Sequence, residues 1–269
     1  MAHIRAGTEN THKMASALRR RSNNLEYDFG WGFTWRWGFF IGWILSFAMS
    51  VGTFIVNRSL YILSFLLFLV ALQLFMGDLV VQRIHNMDSE LVLPYVDLLT
   101  SDNNLVLDAG CGAGRTSIAV SKILKNGRII AVDTFDAPYI DDGGKKLLEK
   151  NLTVANVTDK VEIQTQDITA LKFEKETFDA AVSSYVLDHL GKDQLKALQE
   201  INRVLKKNGR LLLIIMLPNY ATFMVFNVIS ILMLTSRKKW NQLFKEAKFT
   251  CIDGGDLNGG HYFLLEKAT

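Results

Sequence analysis

The sequence predicts an α/β fold, an open sheet that binds its ligand at the carboxyl ends of its strands, preceded by two transmembrane helices. Three observations carry this reading. Residues 105–107 are continuously apolar, as in a strand buried on both faces. Asp108 and the glycines Gly110, Gly112 and Gly114 follow, and then Ile118, Ala119, Ile123 and Leu124 recur at helical spacing. Two later stretches, 127–133 and 161–167, read as strands and again end in an acid, Asp133 and Asp167. Ahead of them, residues 37–56 and 60–77 carry no charge.

In chain order, residues 1–36 form a polar, basic segment with Arg5, Lys13 and the run Arg19, Arg20 and Arg21. The net charge of +3 is too slight to argue for nucleic acid, so the basic segment reads as a cytoplasmic topology signal. A chain of 269 residues, 49% hydrophobic and 21% charged, suits one medium domain plus an appendage. The appendage is segment 37–78. Each uncharged run is long enough to cross roughly 30 Å of hydrocarbon as a helix. The connector Asn57, Arg58 and Ser59 is so short that the two must form an antiparallel hairpin. A cleaved signal peptide fits badly, since a second apolar run follows at once and no small-residue cleavage site is evident. Trp31, Trp35, Trp37 and Trp43 cluster as interfacial aromatics do. Arg19, Arg20, Arg21, Arg36 and Arg83 flank the open end of the hairpin, while its tip has only Arg58. Both ends, and the domain beyond, are therefore expected in the cytoplasm.

Residues 79–101 read as a linker containing a helix over 90–99, and 102–269 as the main domain. Its glycine turn allows a ligand to approach the backbone with no Cβ in the way. A dinucleotide fingerprint asks for Gly or Ala at the sixth position from Gly110, and Arg115 stands there instead. Asp133, roughly twenty residues past the glycines, occupies the place of a carboxylate that accepts ribose hydroxyls. After a long loop over 134–144 come helices expected at 145–154 and 194–205. A strand at 209–217 is stopped by Pro218, and a helix at 238–247 and a hairpin of 249–252 with 261–265 close the chain. Cys111 and Cys251 make no disulfide framework, and Cys111 reads as a space-filler in the turn. His3, His12, His85 and His261 show no metal-ligand spacing, so no metal is expected.

The acid and the three alternate glycines, Asp108 to Gly114, resemble motif I of the class I S-adenosylmethionine (AdoMet)-dependent methyltransferases. Asp167 and Ile168 resemble the motif that holds adenine, and 178–190 resembles motif IV, which borders the methyl group. With 200–209, that last stretch is close to a small-molecule branch that includes quinone and sterol methyltransferases. The resemblance covers 102–269 and implies a Rossmann-like, mixed seven-stranded sheet with AdoMet as cofactor. The cofactor residues it implies are Asp108, Gly110, Gly112, Gly114, Asp133, Asp167, Ile168 and Ser183. Two departures bear on the substrate: Asp188 stands where the branch often has His or Glu, and the loop after Asp133 is long.

Methyl transfer needs alignment and a dry site, and a base only when the acceptor carries a proton of high pKa. His189 is the candidate base, with Tyr185 and Asp188 on the same loop; an Asp-His pair at a helix start also suits capping and packing. Residues 221–235, including Phe226 and Ile229, are apolar and uncharged, and read either as a core helix or as an interfacial helix or substrate lid. The function implied is methyl transfer from AdoMet to a lipid or other apolar small molecule at a bilayer. A tethered protein or peptide methyltransferase and a non-catalytic AdoMet-sensing module are the alternatives.

Overall fold

The computed structural model describes residues 27–85, 91–94, 96–99, 101, 104–136, 141–220, 222–225, 234–257 and 259–268. The N-terminal hairpin consists of α1 (Phe39–Val56) and α2 (Tyr61–Leu79). With their flanking turns they form apolar helical spans Thr34–Val56 and Arg58–Gln82, 23 and 25 residues long, enough to cross a membrane. Only 6% and 17% of their apolar windows are buried within the chain, the reverse of a core helix pair. Between the helices Ser50 and Ser64 form a reciprocal clasp. Each hydroxyl donates to the other's backbone carbonyl, at 2.7 and 2.8 Å. At the tip Asn57 stops α1 in an extended conformation, and its side chain accepts from the Ser59 N–H at 3.0 Å.

The helix expected over 90–99 is corrected by the structure: residues 91–94 and 96–99 are not helical, and residue 90 lies outside the described residues. Pro94 has no N–H and pushes its predecessor out of the helical region. Leu91 and Leu98 instead bury in the main core, and the Asp97 carbonyl accepts from Arg210 Nη1 at 2.5 Å.

Seven strands form one sheet: β1 (Leu105–Ala109), β2 (Arg128–Asp133), β3 (Val161–Thr165), β4 (Phe178–Ser184), β5 (Leu205–Ile215), β6 (Phe249–Leu257) and β7 (Gly260–Lys267). Their order is β3-β2-β1-β4-β5-β7-β6, parallel from β3 to β5, with β7 antiparallel to both neighbours. This is the mixed sheet that the resemblance implies. The chain winds outward from β1 to β3 and then returns to β4 on β1's other side. The order therefore reverses between β1 and β4, where the carboxyl ends of the strands open a crevice.

Helices cover both faces, which is why the central strands β1 and β4 are mostly apolar and buried. On one face α3 (Arg115–Ser121) and α4 (Lys145–Ala155) bury Ile118, Leu148 and Leu152 against Val106, Ile129 and Val182. On the other, α5 (Gln194–Val204) and α6 (Arg237–Glu246) bury Leu198, Ile201, Trp240 and Phe244 against Leu107, Leu211 and Phe263.

The hairpin does not stand apart from this domain. Val80 and Val81, just past α2, bury with Val225, and Trp35, Phe39 and Met224 pack around them. A Cβ on Gly77 would lie 2.9 Å from the Met224 carbonyl oxygen, so the approach is close. The base of the hairpin thus meets the segment that follows β5. Of the apolar stretch 221–235, residues 222–225 are helical; Phe226 and Ile229 lie outside the described residues.

Candidate active site

The glycine turn joins β1 to α3 by a backbone path that L side chains rarely adopt. Gly110, Gly112 and Gly114 have φ of +84°, +48° and +90°. The Gly110 and Cys111 N–H groups both donate to the Val132 carbonyl, at 2.8 and 3.0 Å, tying the turn to the end of β2. Cβ atoms on Gly110 and Gly114 would come within 2.5 Å of the Val186 side chain and 2.4 Å of Leu148 Cδ1. The space expected for a ligand at Gly110 is thus taken by Val186, from the loop after β4.

Asp133 ends β2 beside this turn. Its Oδ2 accepts from the Gly112 N–H at 2.8 Å and its Oδ1 from the Phe135 N–H at 2.9 Å, so the carboxylate shapes two turns and retains further lone pairs. Asp108 lies beneath the glycines, fully buried. Its Oδ2 accepts from Ser117 Oγ at 2.5 Å, and its Oδ1 is buried without a hydrogen-bond partner. Burial pushes its carboxyl up to about 7; the Ser117 hydrogen bond opposes this and the Asp133 charge adds to it. Burial also raises the Cys111 thiol, which keeps it protonated and inert, consistent with a space-filling role.

Asp167 stands exposed past β3, its Oδ1 accepting from the Thr169 N–H at 2.8 Å, while Ile168 is buried in the core. Ser183 requires a correction. It is fully buried, and its hydroxyl donates to the Ala109 carbonyl at 2.7 Å, a tie between β4 and β1 and not a face offered to a cofactor.

The loop after β4 separates the three residues named for chemistry. Tyr185 has φ +56°, and its N–H donates to the Ile214 carbonyl at 2.7 Å. Its phenol is held against Gly260, where a Cβ would lie 2.7 Å from Oη. Burial pushes this phenol up to about 12; the Arg115 charge pulls it down and the Asp188 charge raises it. Asp188 turns inward, with Oδ2 accepting from the Met216 N–H at 3.2 Å and Oδ1 buried without a partner. Burial raises its carboxyl, and the neighbouring His189 opposes this. His189 points outward and is exposed. Consecutive residues of a short 3₁₀ turn, Leu187–His189, face different ways, which splits the pair.

Three functional candidates escaped the sequence reading. Ser117 holds Asp108. Asn151, fully buried on α4, donates to the Ala113 carbonyl of the glycine turn at 2.9 Å. Arg115 places its guanidinium 5.9 Å from the centre of the Phe29 ring. The signal for Asn151 was a polar residue on the apolar face of a helix, between Leu148 and Leu152. Among the described residues no group of His, Cys, Asp and Glu could hold a metal ion.

A glycine turn at the switch point of a sheet ordered β3-β2-β1-β4-β5-β7-β6, with acids ending β1 and β2, defines the class I AdoMet-dependent methyltransferase fold. Comparison with known proteins agrees. Residues 107–213 match the family model described as a methyltransferase domain. The demethylmenaquinone methyltransferase of Lactiplantibacillus plantarum is 37% identical over 112 residues, 41% of this chain and 44% of that protein. The uncharacterized methyltransferase YcgJ of Bacillus subtilis is 33% identical over 116 residues, 40% of this chain and 39% of that one. Among solved structures, a SAM-dependent methyltransferase from Methanosarcina mazei superposes with a TM-score of 0.54 at 16% identity, covering 66% of this chain and 98% of that one. The [4+2]-cyclase SpnF superposes with a TM-score of 0.53 at 15% identity, over 74% of this chain and 82% of that one. The chain spans less than two thirds of the length of the curated relatives it matches. It carries a class I AdoMet-dependent methyltransferase domain.

The residues present fit AdoMet. The partnerless Oδ1 of Asp108 beneath the glycine turn calls for a donor, which the cofactor's ammonium carries. The Asp133 carboxylate has lone pairs left for ribose hydroxyls.

Proposed function

We propose that this protein is a membrane-anchored methyltransferase that moves the methyl group of AdoMet to a lipid or another apolar small molecule. The observation that carries the reading is the packing of the hairpin base on the segment after β5, through Val80, Val81 and Val225. That segment borders the carboxyl edge of the sheet, where this fold binds its ligands. An acceptor dissolved in the bilayer would therefore meet the site at the point where the anchor joins it, and tethering raises its effective concentration there. The L. plantarum relative, whose name gives a quinone substrate, supports an apolar acceptor. SpnF, named as a cyclase on a similar fold, is the reason that the transfer itself needs a direct test.

In this reading Asp133 holds the ribose, Asp167 and Ile168 border the adenine, and Asp108 faces the ammonium. AdoMet supplies an activated methyl group, so the protein's part is alignment and exclusion of water, worth up to about 7–11 kcal/mol. Tyr185, its phenol pushed up to about 12, stays protonated at neutral pH and acts as a hydrogen-bond donor. His189, exposed on the loop after β4, is the candidate proton acceptor for a substrate that must lose a proton, while Asp188 stays turned inward on the Met216 N–H. Positive residues flanking the open end of the hairpin support a cytoplasmic domain. The test is turnover of methyl-labelled AdoMet with membrane extracts, followed by separation of lipid from protein. Label in the lipid fraction supports the reading. Label in protein favours a tethered protein methyltransferase, and no label with tight AdoMet binding favours a sensing module.

A further inference from the structure

The segment that leads into the membrane also reaches the glycine turn. The Asp28 N–H donates to Asn151 Oδ1 at 3.0 Å, and Asn151 Nδ2 donates back to the Asp28 carbonyl at 2.7 Å. The same amide nitrogen donates to the Ala113 carbonyl at 2.9 Å, so one buried side chain clamps residue 28 to the turn. Phe29 is 3% exposed, and the Arg115 guanidinium lies over its ring. Toward the membrane, the Trp31 carbonyl accepts from Arg36 Nε at 3.1 Å and the Arg36 carbonyl from Gln82 Nε2 at 3.1 Å. Two sets of contacts, joined through the backbone of residues 28–31, thus run from the base of the hairpin to the glycine turn.

Arg115 sits in the first turn of α3, where a cation opposes the aligned peptide dipoles. Local helix energetics do not favour it there. It is half-buried, stacked on Phe29, and close enough to Tyr185 that its charge lowers that phenol. With ribose at Asp133, adenine beyond it at Asp167, and the methyl group at the loop after β4, the methionyl arm of AdoMet falls over the glycine turn between β1 and β4. Its carboxylate is the anion that a cation over Phe29 and near Tyr185 would meet.

We propose that Arg115, aimed by Phe29 and by the Asn151 clamp behind it, binds the methionyl carboxylate of AdoMet. The juxtamembrane segment 27–31 is then a wall of the cofactor site as well as a tether. This rests on the AdoMet reading of the site. The test is calorimetric titration of the full-length protein in detergent or nanodiscs with two probes, AdoMet and 5′-methylthioadenosine, which lacks the carboxylate. Loss of a charge-assisted pair predicts that Arg115→Gln weakens AdoMet about tenfold or more and leaves methylthioadenosine unchanged. Phe29→Leu keeps the apolar packing but removes the ring face, and should give the same selective loss in smaller measure. Asn151→Ala should do likewise. Equal weakening of both probes means damage to the fold and overturns the assignment, as does no weakening of either. Wild-type protein that binds neither probe overturns the cofactor reading itself, and this proposal with it.

Discussion

The Gly112 N–H donates to Asp133 Oδ2 at 2.8 Å, so the carboxylate named for the ribose also closes the glycine turn. Its second oxygen accepts from the N–H of Phe135, two residues past the end of β2 and in a left-handed conformation, φ +56°. One side chain therefore shapes the floor of the site and offers its remaining lone pairs to the ligand. Asp133→Ala should cost both stability and affinity, about 1.5–3 kcal/mol of AdoMet binding for lost charge-assisted bonds. Calorimetry on a folded variant decides it, and unchanged affinity would remove the ribose assignment.

Gly110 has two separate reasons to be glycine: φ +84° and a Val186 side chain 2.5 Å from where a Cβ would be. Gly110→Ala should therefore destabilise the domain, and Val186→Ala in the same chain should relieve the clash but not the backbone strain. The residual deficit should be about 1–2 kcal/mol. A denaturant titration of the single and double variants measures it. Full rescue by Val186→Ala would show that the strain costs nothing.

How much of this was legible in the sequence depends on range. The glycine turn and the strands that end in acids are local patterns, and the structure reproduces them as β1, β2 and the turn between β1 and α3. The site's contacts across the chain were not legible. Asn151 meets Asp28 across 123 residues, and no local period encodes that pairing. Asp188 and His189 looked like a unit because they are adjacent, yet the 3₁₀ turn sends one inward and the other out. The helix expected at 90–99 failed because Leu91 and Leu98 also satisfy an irregular segment pinned to the core, and Pro94 favours that outcome.

Asp108 sets a pH dependence. An unfolded aspartate titrates near 3.9, whereas burial holds this one at about 7 in the folded protein. Between these values the native state binds the extra proton, so this residue's contribution to stability falls as pH rises from about 4 to about 7 and is flat above. Asp108→Asn should flatten that slope in the ligand-free protein. Thermal melts across the window check it, and an identical slope in the variant would contradict the burial argument. Where a cofactor ammonium reaches Oδ1, binding near pH 6 should release a proton, which calorimetry in buffers of different ionisation enthalpy reads directly.

The Ser50–Ser64 clasp ties the two helices of the apolar hairpin together by reciprocal hydrogen bonds. In a bilayer such interhelical bonds average about 0.6 kcal/mol each, so Ser50→Ala should weaken the hairpin only slightly. Ser50→Leu should do more, because Ser50 is buried between helices and a larger side chain must part them. Cysteine cross-linking of the two helices in membranes measures the separation. Equal effects of the two substitutions would mean that the hydroxyls, and not the close fit, hold the pair.

The last prediction concerns the join between anchor and domain. Val81 is 1% exposed and Val225 7%, in a small apolar cluster with Val80 that is separate from the two main cores of the sheet. A carboxylate introduced there meets no basic side chain among the cluster's described residues and would be driven toward water, prising the segment after β5 away from the hairpin. The domain's own cores, packed on the sheet, would remain. Val225→Asp should accordingly abolish transfer to a membrane-dissolved acceptor while AdoMet binding and the melting of the domain persist. Val81→Asp, which perturbs the same contact from the hairpin side, should match it. If both variants methylate membrane lipid at the normal rate, the join plays no part in substrate delivery. Loss of AdoMet binding together with transfer would instead make the cluster part of the fold's foundation. A selective loss, seen from both sides of the contact, would locate the acceptor's entry where the hairpin meets the segment after β5.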